Sequence, residues 1–171
     1  MSSQTDYSKY DLNHMIVKPL YFGLGFNILL PMILVFICYY IDNQNGWSAL
    51  VGFDMANNLF YIFGLMAVLE AAAVLLWREK MMSQPMIKST ETFEHDLTSE
   101  LFSRIKPISI IISGINLYGV AYYILTARIK ETIFFVFFSF IVFQVVRPRL
   151  GFIKRLIDRQ LEMVGQNQFK I

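Results

Sequence analysis

Apolar residues in this chain fall into long unbroken runs. Polar residues collect in the stretches between them. A bilayer core of about 30 Å needs roughly 20 apolar residues per helix, and four runs approach or meet that length. The pattern predicts spans at 20–41, 57–77, 107–127 and 132–147, the last one short and completed by a snorkelling Arg147. A soluble helical bundle would need a polar face on each helix. The fourth run has none, because Phe134, Phe135, Phe137, Phe138, Phe140 and Phe143 point in all directions around it. The expected fold is therefore an all-α integral membrane protein with four transmembrane helices arranged as two hairpins. Residues 1–19 form a polar N-terminal tail and 148–171 a C-terminal helix and tail. "KPLYFGLGFN" and "KPISIIISGIN" open the first and third spans with the same Lys-Pro, a faint echo of paired hairpins.

Two segments outside the spans switch to a one-sided helical pattern. In "TETFEHDLTSELFSRI", Phe93, Leu97 and Leu101 recur every four residues, with Phe102 and Ile105 near the same side. This predicts an amphipathic helix over about 90–105 in the second loop, ending at Lys106-Pro107, where proline disfavours helical geometry in the residue before it. In "RPRLGFIKRLIDRQLEMVG", Leu150, Ile153, Ile157, Leu161 and Val164 form a stripe, with Lys154, Arg155 and Arg159 off it. A basic amphipathic helix directly after a span either lies on the lipid surface or docks a partner subunit. Arg149, Ile153, Lys154, Arg155, Ile157, Arg159 and Leu161 are the residues expected to make that contact.

Composition agrees with the pattern. The 171 residues are 56% hydrophobic and 16% charged, against about 25% charged in soluble domains. A net charge of +2 gives no footprint for nucleic acid. The basic residues are segregated: thirteen of the fifteen lie in the two tails and the second loop, and only Arg128 and Lys130 lie in the other loops. With four spans this places both termini inside, in a bacterial or organellar inner membrane. Tyr39, Tyr40, Trp47, Tyr122 and Tyr123 are expected as anchors at the outer interface, and Tyr21 and Trp77 at the inner one. The first sixteen residues are polar and include Asp6 and Asp11, so the first run reads as a retained anchor.

The chemistry concentrates on one residue. "LMAVLEAAAVLLW" buries Glu70 in an apolar run, seven residues from Trp77, or about 10 Å from the end of its span. Asn27, Ser113, Asn116 and Ser139 fall at similar depths on the other spans, so the expectation is one intramembrane polar cluster with Glu70 facing Asn27 and Asn116. Gly64, Ala67 and Ala71 beside it would let another helix approach. Such a cluster is either structural, pinning helix register, or an ion site. Only one acid lies in the spans, and no second carboxylate lines a route outward.

No catalytic set, metal site or cofactor is expected. Cys38 is a lone cysteine, and His14 and His95 are far apart in the chain.

"AVLEAAAVLL" resembles the ion-carrying helix of rotary ATPase proteolipids over about ten residues, which would imply an ion site at Glu70. The proteolipid pattern also needs a Gly/Ala-rich partner helix, and no span here has that composition. The final hairpin ending in "FIVFQVVRP" is similar in outline to the small four-span accessory protein encoded with bacterial ATP synthases, from which the long second loop departs. The expected function is a non-catalytic accessory, scaffold or assembly subunit of a larger membrane complex. Its partners would be the lipid bilayer and other membrane subunits or further copies of itself, without nucleic acid. The alternative is a small proton- or cation-coupled transporter or channel using Glu70.

Overall fold

The computed structural model describes residues 7–45, 48–87 and 92–165. Trp47, the start of the expected loop helix at 90–91 and the tail residues 166–171 lie outside the described residues.

A short 3-10 turn, Tyr7–Lys9, leads into α1 (Leu12–Leu24), a π-helical turn (Gly25–Leu29) and α2 (Leu30–Asn45). These run on as one helix. Next come α3 (Phe53–Met82), α4 (Phe93–Thr126), α5 (Ile129–Val146) and α6 (Leu150–Gly165). Four of these helical stretches are long and apolar enough to cross a membrane. Strands are absent among the described residues.

The helices overrun the predicted spans, mostly at the end of the bundle that carries the termini. Asp11 starts α1 by accepting a hydrogen bond from the His14 backbone N–H at 3.0 Å, eight residues before the predicted span. The predicted break at Lys106-Pro107 does not occur: α4 is one helix of 34 residues, about 51 Å, with Pro107 inside it. A proline there removes a backbone bond and costs about 3 kcal/mol. What carries the helix through is packing, because Phe93, Leu97, Leu101, Ile105, Ile108, Ile112 and Ile115 form one buried stripe across the proline. Pro19 is likewise buried inside α1.

α4 is the hub. It packs against α5, α3, α1 and α2, while α2 and α3 make no major contact with each other. The first two spans each pack on the α4–α5 pair. Tyr122 and Tyr123, expected as interface anchors, are buried in these contacts, and the Tyr123 hydroxyl donates to the Cys38 carbonyl at 2.8 Å. The small residues at the α4–α5 contact explain its closeness: Thr132 Oγ1 donates to the Gly119 carbonyl at 3.0 Å. At the far end of α4, Ala127 adopts a left-handed conformation (φ 55°), and its N–H closes the helix on the Tyr123 carbonyl at 2.8 Å.

At the termini end, α6 returns over the bundle. Ile153, Leu156 and Ile157 are buried in the same core as Met15, Met82, Met86, Ile87, Phe93 and Leu97. Within the expected stripe, this chain itself buries Ile153 and Ile157, while Leu161 and Val164 are half-buried and Leu150 is exposed. Tyr7 bonds Asp158 at 2.7 Å and Lys154 lies 5.0 Å over the Tyr7 ring, fastening the N-terminus to the same helix.

Candidate functional site

The expected polar cluster resolves into three separate contacts. In the first, Asn27 sits in the π-helical turn, buried. Its Nδ2 donates to the Gly23 carbonyl at 3.0 Å and to the Ser109 carbonyl of α4 at 3.2 Å. An extra residue in the turn loosens the local backbone ladder, and the side chain takes up a carbonyl of its own helix while tying that helix to its neighbour.

In the second, Asn116 Nδ2 donates to Ser139 Oγ at 3.1 Å, and Ser139 Oγ donates to the Ile112 carbonyl at 3.1 Å. All of this lies on the α4–α5 face. Ser113 spends its hydroxyl on its own helix, donating to the Ile110 carbonyl at 2.7 Å.

The third contact holds Glu70, on the α3–α4 seam. Its Oε1 lies over Gly114, so close that a Cβ at that glycine would sit 3.0 Å away. The Tyr118 hydroxyl is within hydrogen-bonding reach of the carboxyl, and the Tyr118 ring stacks on Phe63 at 6.1 Å. Gly114 and Tyr118 are one helical turn apart and share a face. Asn116 stands two residues from each, roughly 200° around α4. That angle is why Glu70 does not meet Asn116. Ala67 and Ala71 are buried on the Glu70 face of α3 as their size predicted. Gly64 is turned to an open groove of about 350 Å³ between α3 and α5, lined by Phe60, Tyr61, Phe134 and Phe138.

Sequence reasoning gave the termini end too little weight. Arg104 donates to the carbonyls of Met81, Gln84 (3.3 Å) and Pro85 (2.8 Å), closing the C-terminus of α3 with a cation where the helix dipole favours one. Gln160, fully buried, accepts from the Met86 N–H at 2.9 Å and donates to the Gln84 carbonyl at 3.2 Å. Together they fix the segment after α3. His14 and His95, distant in sequence, line one cavity of about 560 Å³ with Lys18 and Glu94. No group of three or more metal-ligating side chains is formed among the described residues.

The expected membrane-surface residues of the C-terminal helix separate by face. Ile153 and Ile157 are buried, Leu161 is half-buried, and Arg149 donates to the Gln144 carbonyl at 2.9 Å. Lys154 covers Tyr7. Arg155 and Arg159 line a groove of about 610 Å³ together with Arg78 and Lys80 of α3.

Comparison of the chain with known protein families, curated proteins and solved structures finds no match. A reading of function therefore rests on the residues and their geometry.

Proposed function

We propose that this chain is a non-catalytic four-pass membrane protein with both termini inside, acting as an accessory, scaffold or assembly subunit of a larger membrane complex. The observation that carries this reading is how the polar groups in the spans are spent. Asn27, Asn116, Ser139, Thr132 and Tyr123 each bond a neighbouring helix, in separate places, so they act as fasteners. Each such bond contributes on the order of 1 kcal/mol in a bilayer. The outward faces are apolar and aromatic, and the open groove at Gly64 suits the approach of a further helix. The segregation of thirteen basic residues supports the orientation.

A second reading has one observation in its favour. Glu70 is a half-buried ionisable group inside a span with a tyrosine hydroxyl as its polar neighbour, and intramembrane carboxylates mark ion paths. The experiment compares the parent with Glu70→Gln, in proteoliposomes and by photo-crosslinking from Tyr61 in native membranes. The accessory reading expects no proton or cation flux from either protein and the same discrete crosslinked subunit with both. A flux present in the parent and lost in E70Q would replace it with the ion-coupled reading. Orientation is checked with Lys9→Cys, which a membrane-impermeant maleimide should label only after the inner side is opened.

A further inference from the structure

The groove between the end of α3 and α6 gathers four cations around one opening: Arg78, Lys80, Arg155 and Arg159. Glu79 is the one acid lining it among the described residues. Arg78 is held in place from below, its guanidinium 4.4 Å over the Phe152 ring, and its Nε is buried with no hydrogen-bond partner. Arg155 stands near enough to repel Arg78 electrostatically, and Glu79 beside it acts in the opposite sense and more strongly. None of the four enters either ion pair formed among the described residues, Arg104–Glu100 and Arg128–Glu131. On α6, Asp158 is turned to Tyr7.

A helix C-terminus ordinarily repels anions. Here its last carbonyls are already taken. Ser83 donates from its N–H to the Glu79 carbonyl at 3.0 Å and from its hydroxyl to the Lys80 carbonyl at 2.8 Å, and Arg104 donates to Met81. Four cations around an open cavity against a single carboxylate, with Asp158 turned elsewhere, leave an excess of positive charge that suits an anion with several acceptor oxygens.

We propose that this groove binds a phosphate group. It lies where the apolar run of α3 ends, beside the exposed Leu76, so a phospholipid head group could enter with its acyl chains along α3. A free phosphate carries the same chemistry. The proposal stands apart from the accessory reading, since it concerns the isolated chain and needs neither a partner nor a flux.

The test uses the full chain in mild detergent, probed separately with dioleoyl phosphatidylglycerol, dioleoyl phosphatidylcholine and inorganic phosphate. Bound lipid is read by native mass spectrometry, and phosphate by its effect on thermal unfolding. The variant is R155Q with R159Q, both exposed positions that leave the core intact; K9Q with K130Q removes the same charge elsewhere. Retention of phosphatidylglycerol over phosphatidylcholine, weakened roughly tenfold in R155Q/R159Q but not in the control, identifies a lipid head group. A phosphate-induced rise in unfolding temperature, lost in the same variant only, identifies a soluble phosphate. Failure of the parent to bind either probe, or equal binding by parent and R155Q/R159Q, overturns the proposal.

Discussion

Gly119→Ala should push α4 and α5 apart. A Cβ at Gly119 would lie 3.0 Å from Phe135 Cβ, 3.1 Å from the Thr132 carbonyl oxygen and 3.5 Å from Thr132 Cγ2. Ordinary carbon–carbon contact is about 3.5–4.0 Å, so the helices must part by roughly half an ångström. Neither close neighbour can turn aside, because one is backbone and the other is fixed to it. Overpacking of this kind costs about 1–3 kcal/mol, and stretching the Thr132–Gly119 hydrogen bond adds to it. The gain in helix propensity from Gly to Ala returns up to about 1 kcal/mol. The net loss expected is about 1–2 kcal/mol. Gly64→Ala and Gly151→Ala provide the contrast, since a Cβ at either position meets nothing within 4 Å. Both should be as stable as the parent or gain up to about 1 kcal/mol. Reversible denaturation in mixed micelles, monitored by circular dichroism, ranks the four proteins. If G119A proves as stable as G64A, the close approach of α4 and α5 described above is wrong.

Gln160→Leu keeps the volume but leaves the Met86 N–H and the Gln84 carbonyl without their partner, and should cost about 1–3 kcal/mol. Hydrogen exchange at the Met86 amide should accelerate with it. Arg104→Lys replaces a fork that reaches three carbonyls with a point charge, and should expose the segment after α3 to limited proteolysis while leaving the spans intact. Ala127→Gly should stabilise by about 0.5–1 kcal/mol, read as a raised unfolding temperature, because the left-handed backbone at this position favours glycine.

Particular residues show where sequence reading succeeded and where it stopped. The Phe-rich fourth run could not be given a polar face, and it forms one apolar helix. Glu70 stood out by its chemistry alone, as did the small Ala67 and Ala71 that let α4 come near. Depth along each span was legible because rise per residue is fixed. Angle around α4 separates what depth groups together: Gly114 and Asn116 are neighbours in depth but face different helices, so the single cluster divides into three contacts. Pro107 misled for a related reason. Its local preference against helix is real, yet the buried stripe on both sides of it is stronger. The juxtaposition of His14 and His95, and of Arg78 with Arg155, left no trace in spacing at all.

What the sequence determined by itself is the solvent each segment needs. Unbroken apolar runs and segregated charges are local properties, and they specify four membrane-length helices joined by polar segments. Which helix touches which was decided only in three dimensions. The small Gly119, Gly114 and Ala67 permit close approach, a few hydrogen bonds select the register, and α6 buries Ile153, Leu156 and Ile157 against the same chain. Each of those outcomes depends on pairs of surfaces, and no single stretch of chain contains both members of a pair.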